Sequence, residues 1–193
     1  MRLAHLAGIQ TFCTGGIGGV HRGGQDTMDI SADLQELAKT PVVVVSAGIK
    51  SILDIRRTLE ILETNGVPTV TYQSDEFPAF FSPRSGIQTP ARVDSVDEIA
   101  RAYCASVGHL GLTSGLLVAI PNDDPAGEST EDAIQEAIAE ATQLGIHGRD
   151  VTPYILKSVA SKTGKGLAFW ENNVYFLPSF DLSLFRDHQM GIV

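Results

Sequence analysis

Residues 42 to 46 read Val-Val-Val-Val-Ser and lead into the small pair Ala47-Gly48. Consecutive β-branched side chains are stiff in a helix and pack well on a pleated surface. A run that is apolar on both faces must be covered on both faces, which is the condition of an inner strand in a parallel sheet. The flanking sequence keeps to the same plan. Strand-like runs at 10–13, 67–72 and 115–120 alternate with helical patterns at 33–39, 51–64, 95–108, 129–144 and 152–163. Alternation of this kind predicts an α/β fold with a mostly parallel central sheet flanked by helices. Ligands of such sheets gather beyond the carboxyl ends of the strands.

Local signals set several boundaries. Asn65-Gly66 is a helix stop, Ser95-Val96-Asp97-Glu98 is a capping box, and Thr152-Pro153 offers an N-cap followed by an N1 proline. Two stretches break the alternation. Residues 73–92 form a long connection with the apolar cluster Phe77-Pro78-Ala79-Phe80-Phe81, which predicts a lid or an interface element. Beyond Gly166 the helical pattern stops and an aromatic-rich tail follows.

The formal net charge is -9, from 14 basic and 23 acidic residues, which argues against a general binder of nucleic-acid polymers. A single bound nucleotide needs only a local positive site. Two cysteines, Cys13 and Cys104, make neither a disulfide framework nor a zinc pattern. No apolar run reaches the length of a membrane span, and Met1 to Ala7 is too short and mixed for a signal peptide. The expected setting is the cytoplasm or an organelle matrix.

Three features converge on the rim of the sheet. Lys50 lies just past the valine strand, where partial desolvation would expose a neutral, nucleophilic amine; a solvated lysine at the start of a helix from Ser51 is the plain alternative. Thr14-Gly15-Gly16-Ile17-Gly18-Gly19-Val20-His21-Arg22-Gly23-Gly24 lacks the Gly-Lys-Ser/Thr ending of a Walker loop and the third glycine of a dinucleotide fingerprint. Its backbone N–H groups could still cradle a phosphate, and a tight turn explains it equally well. Asp26, Asp29 and Asp33 could gather to hold magnesium or manganese, or could serve a helix N-terminus. Together they suggest chemistry on a phosphorylated small molecule.

The segments TGGIGGVHRG, MDISADL, PVVVVSAGIKSILDI, TLEILETNGVP, FPAFFSPRSG and VTPYIL, in this order, resemble the pseudouridine-5'-phosphate glycosidase family, also called the indigoidine synthase A family. The similarity spans about residues 1–165, a partial glycosidase domain, with 166–193 as a divergent tail. The resemblance implies reversible cleavage of the C–C glycosidic bond of pseudouridine 5'-phosphate to uracil and ribose 5-phosphate. It implies Mn2+ or another divalent cation and a homotrimer in complete members. Lys50 corresponds to the nucleophile that attacks C1' and forms an imine with the opened sugar. Asp29 corresponds to the metal ligand, its shell completed by waters. Ser31, Ala32 and Asp33 correspond to the substrate-contacting segment, and Thr14, His21 and Arg22 to phosphate or ribose contacts. The family's glutamate proton donor and a phosphate-site lysine have no counterpart here. The expectation is therefore a truncated chain, poorly active and poorly stable alone. The competing readings are a catalytically inactive fragment or isoform and a Schiff-base sugar-phosphate aldolase.

Overall fold

The computed structural model describes residues 1–122, 125–146 and 150–163. In chain order the elements are α1 (Arg2–Leu6), β1 (Thr11–Cys13), α2 (Gly24–Thr27), α3 (Ala32–Leu37), β2 (Val43–Ser46), α4 (Ile55–Thr64), β3 (Thr69–Tyr72), β4 (Arg92–Val93), α5 (Val96–Tyr103), β5 (Leu116–Ala119), α6 (Pro125–Gln143) and α7 (Val151–Thr163). A π-helical turn, Cys104–His109, continues α5. The five strands form one sheet in the order β1-β2-β5-β3-β4. Every pairing is parallel, with Val43 opposite both Thr11 and Leu116, and Thr69 opposite Leu117. The α/β expectation holds.

The valine run serves two cores. Val42 and Val44 join Leu117, Leu34 and Leu37 of α3, Leu62 of α4, Ile134 of α6 and Ile155 of α7 on one face. Val43 and Val45 join Val118 and the α5 residues Val96, Ile99, Ala100 and Tyr103 on the other. All four valines are fully buried, so the apolar character on both sides of β2 is explained. Each buried side chain of this size is worth ~1.5–3 kcal/mol over exposure.

Helix ends follow local chemistry where it is strong. Ser95 accepts from the Glu98 N–H, and the α4 stop places Gly66 at φ +65° after Asn65. Elsewhere the structure corrects the expectation. Helix α4 starts at Ile55, not Ser51, because Asp54 is its N-cap and accepts from the Arg57 N–H. Helix α7 already includes Thr152, whose hydroxyl is engaged elsewhere. The short α2 and β4 carry too little periodicity to be foreseen.

The apolar connection is a buttress instead of a lid. Phe77, Phe80 and Phe81 are 0 %, 6 % and 2 % exposed and belong to the larger core. Ala79 pairs with Gly48, and the Phe80 N–H donates to the Ala47 carbonyl at 3.2 Å. The Ser51 hydroxyl donates to the Ala79 carbonyl. The 166–193 tail lies outside the described residues.

Cys13, on β1 against the second core, gives a first prediction. Burial pushes its thiol up from 9.0 to about 11. The fold thus favours the neutral thiol. This contribution to stability is complete below pH 9.0 and is lost as pH rises through about 11. Iodoacetamide at neutral pH should label the exposed Cys104 and spare Cys13, as mapped by peptide mass spectrometry.

Candidate active site

The glycine segment runs past the end of β1 and continues the parallel pairing beyond the strands. The Thr14 N–H donates to the Val45 carbonyl, the Ala47 N–H to Gly15, the Ile17 N–H to Gly48 and the Lys50 N–H to Ile17, at 3.0 to 3.2 Å. Chain 14–17 and chain 45–50 are therefore stitched together at the carboxyl end of the sheet. Lys50 sits between Ile49 and Ser51, 0 % and 1 % exposed, while its own side chain is exposed. The backbone is fixed and the amine is accessible. The desolvated surroundings expected from sequence are not built by the described residues, and the helix start assumed at Ser51 is four residues away.

Close packing explains Gly16, Gly18, Gly19 and Gly24. A Cβ on Gly16 would lie 2.5 Å from the Phe80 ring, and one on Gly18 would collide with the Ser31 hydroxyl. The Gly18 N–H donates to Asp33 Oδ2 at 2.8 Å, and the Val20 N–H to the Thr58 hydroxyl at 2.9 Å. Ser31 caps α3, accepting from the Asp33 N–H at 3.2 Å, and its own N–H donates to the Gly19 carbonyl. Ala32 is exposed at the first turn. Ser31 and Asp33 thus hold the glycine loop, in addition to any contact with substrate.

The three aspartates do not gather. Asp26 is exposed and accepts from Gln25, Asp33 is engaged with Gly18, and Asp29 stands near His21. Among the described residues no three His, Cys, Asp or Glu side chains form a metal-binding group. A cation held by Asp29 alone would keep a mainly aqueous shell, the habit of small hard ions. Asp29 Oδ2 lies 3.8 Å from His21 Nδ1, and the His21 N–H donates to the Asp29 carbonyl at 3.0 Å. His21 Nδ1 is 3.1 Å from the Thr152 hydroxyl of α7.

Arg22 turns toward carboxylates. It lines a cleft of about 380 Å³ with Ser51, Asp54, Arg84, Glu131 and others. Burial lowers the pKa of its guanidinium, opposed by the charges of Asp54 and Glu131. Burial in turn pushes the Glu131 carboxyl up, opposed by the Gln135 hydrogen bond and by Arg22. Arg22 Nε and Glu131 Oε2 are buried without hydrogen-bond partners among the described residues. Sequence reasoning missed Asp54, Thr58, Glu131 and Thr152. Their contacts at the site, Asp54 and Glu131 with Arg22, Thr58 with Val20 and Thr152 with His21, are distant in sequence, and the capping pattern at Thr152 does not reveal its partner.

The family model for indigoidine synthase A like protein matches residues 1–176. A pseudouridine-5'-phosphate glycosidase of Deinococcus radiodurans is 54% identical over 167 residues, covering 85% of this chain and 53% of the relative. One from Herpetosiphon aurantiacus is 47% identical over 196 residues, covering 96% and 64%. The chain thus spans roughly half to two thirds of these relatives' length. Among solved structures, a prealnumycin C-glycosynthase in complex with ribulose 5-phosphate superposes with a TM-score of 0.78 at 41% identity, over 92% of this chain and 59% of that one. An indigoidine synthase A-like protein from Thermotoga maritima MSB8 gives 0.72 at 36% identity, over 91% and 57%.

Proposed function

The chain belongs to the indigoidine synthase A-like family, and from that premise we propose that its site carries the chemistry of a pseudouridine-5'-phosphate glycosidase. The observation that carries the reading is the mounting of Lys50. Its backbone is bonded to the glycine loop at the carboxyl end of β2 while its amine stays accessible. The Lys50 amine attacks C1' as the C1'–O4' bond breaks and O4' takes up a proton, leaving an opened sugar with the Lys50 nitrogen and uracil both on C1'; protonation of the uracil ring carbon then lets the nitrogen lone pair expel uracil, and the imine that remains on Lys50 is hydrolysed by water to ribose 5-phosphate. A C-glycoside has no easily protonated leaving oxygen or nitrogen, so the electron pair of the Lys50 nitrogen on C1' drives the cleavage together with protonation of the ring carbon. Thr14, His21, Arg22, Ser31, Ala32 and Asp33 are the substrate-facing set in this proposal. Asp29 holds a divalent cation, manganese by resemblance, which would supply positive charge beside the anionic substrate. A trimeric assembly and a cytoplasmic or organelle-matrix setting complete the proposal. Among the described residues no helix is long and apolar enough to cross a membrane.

The test is condensation of uracil with ribose 5-phosphate in the presence of manganese, with pseudouridine 5'-phosphate as product. The C-glycosynthase relative supports a second reading, the same site run toward bond formation on another aromatic acceptor. Protein that traps ribose 5-phosphate on Lys50 but makes no product from uracil would favour it. For the metal, Asp29→Ala should raise the manganese concentration that half-saturates activity by about tenfold or more, the scale expected for losing a charged ligand. An unchanged manganese dependence would move the cation away from Asp29, with Asp26 and Asp33 next in line.

A further inference from the structure

We propose that the cleft between the glycine loop, α4, the buttress and α6, lined by Arg22, Asp54, Arg56, Arg84, Glu131 and Gln135 among others, is a binding site for a phosphate-type oxyanion. It goes beyond the glycosidase reading: Lys50, Asp29, Ser31 and Asp33 do not line this cleft, and of the substrate-facing set only Arg22 does. Its volume of about 380 Å³ falls in the range of small-molecule pockets, roughly 300–1,000 Å³, and exceeds what a single bridging water fills. Two polar atoms face each other's chemistry there. Arg22 Nε and Glu131 Oε2 are both buried, and neither has a hydrogen-bond partner among the described residues. Arg22 also forms no ion pair with a described residue. The charges that act on it are Asp54 and Glu131, and both are already committed. Asp54 takes the Arg57 N–H at 3.0 Å and pairs with the Arg57 guanidinium. Glu131 accepts from Gln135 at 2.7 Å through its other oxygen. A largely buried guanidinium without a hydrogen-bonded anion costs free energy, and a ligand that supplies the anion recovers it. Arg56 and Arg84 are exposed and form no ion pair with a described residue. With Asp54 paired to Arg57, three guanidinium groups stand against the one carboxyl of Glu131, in a chain whose formal net charge is -9. Guanidinium forks match phosphate oxygens in pairs. An orphan donor at Arg22 and an orphan acceptor at Glu131 select a ligand that accepts from the first and shares one proton with the second. A phosphate monoester or inorganic phosphate does both, through P–O and P–OH, and a neutral Glu131 carboxyl supplies that proton to a dianion.

The experiment titrates the full chain, labelled with 15N-arginine, with inorganic phosphate, against sodium chloride at matched ionic strength. The Arg22 Nε–H signal, assigned by its loss in Arg22→Lys, should shift saturably with phosphate and stay in place with chloride. Arg56→Gln and Arg84→Gln should each weaken phosphate binding by about two- to fivefold, the scale of one exposed charge pair. Arg22→Gln should weaken it by about tenfold or more, the scale of a hydrogen bond to a charged group. Lys157→Gln, exposed on α7, should bind as the native chain does. Absence of a saturable Nε–H shift overturns the proposal, as does an equal shift with chloride, or binding that none of the three arginine substitutions weakens. If the Arg22 variants do not fold, calorimetric titration of Arg56→Gln and Arg84→Gln against the native chain decides. Two sources share this chemistry, the phosphate of the sugar held on Lys50 and a separate phosphate compound. Saturating inorganic phosphate that blocks borohydride trapping of ribose 5-phosphate assigns the cleft to the first, and trapping unchanged under the same phosphate assigns it to the second. Absence of trapping in the native chain counts against the glycosidase reading instead, and the phosphate titration then stands by itself.

Discussion

Borohydride reduction in the presence of ribose 5-phosphate should fix one pentose phosphate on the peptide that contains Lys50, and Lys50→Ala should bring the trapped fraction to background. The expectation follows from the mounting of the residue. An imine requires an amine that can reach an aldehyde and an anchor that holds it there. Lys50 is exposed, its N–H is bonded to Ile17, and both sequence neighbours are fully buried. Among the described residues the other lysines lack that combination: Lys39 is exposed in the turn after α3, Lys157 is exposed on α7, and Lys162 is shared between Glu136 and Glu140 at 2.8 Å. Lys50→Arg separates charge from nucleophilicity, because guanidinium keeps the cation but is never deprotonated in this range. It should bind the sugar phosphate and trap none. Adduct that persists undiminished in Lys50→Ala would remove Lys50 from the mechanism.

What the sequence made legible here is what is decided locally or by uniform apolarity. The valine run is an inner strand because nothing else tolerates four buried β-branched residues in a row. Asn65-Gly66 ends α4 because Gly66 takes up the positive φ, and Ser95 starts α5 because its hydroxyl meets a free N–H. The illegible parts are those where a local signal is outbid by a distant partner. Ser51 read as helix, yet its hydroxyl goes to Ala79 and the helix waits for Asp54. Thr152 read as an N-cap, yet its hydroxyl goes to His21. The apolar connection read as a lid or an interface element, because apolar residues outside regular elements look unpartnered until the core they fill is known. The carboxylates read as a metal group or as a helix N-terminus, and the fold puts Asp33 in the first turn of α3 and on the distant Gly18 N–H. The rim of the sheet and Lys50 were therefore visible in sequence, and the supports around them were not.

Gly48 is the sharpest of these supports, and Gly48→Ala should be the most damaging one-carbon change near the site. In sequence it was only one of a small pair before Lys50. In the structure it has φ +102°, a conformation that L side chains rarely adopt. A Cβ there would lie 2.6 Å from the Pro78 carbonyl oxygen and 3.4 Å from the Phe77 ring. The nearest obstacle is backbone, and that backbone is fixed because Ala79 pairs with Gly48 itself and Phe77 is fully buried. The loop cannot yield at the tip of a flexible side chain, so strand end and buttress must move apart. Backbone strain of ~1–2 kcal/mol and overpacking of ~1–3 kcal/mol sum to about 3.5 kcal/mol in the middle of their ranges. Gly66→Ala is the control: φ is +65° and nothing lies within 4 Å, so only the backbone strain of ~1–2 kcal/mol applies. Urea unfolding should rank the two variants in that order. The same movement displaces the Gly48 carbonyl that accepts from Ile17, and with it the bond from Lys50 to the glycine loop. Trapping of ribose 5-phosphate should therefore fall in folded Gly48→Ala and stay native in Gly66→Ala. Equal destabilisation in the two variants, with trapping intact in both, would show that the close approach of strand end and buttress holds neither the fold nor the lysine in place.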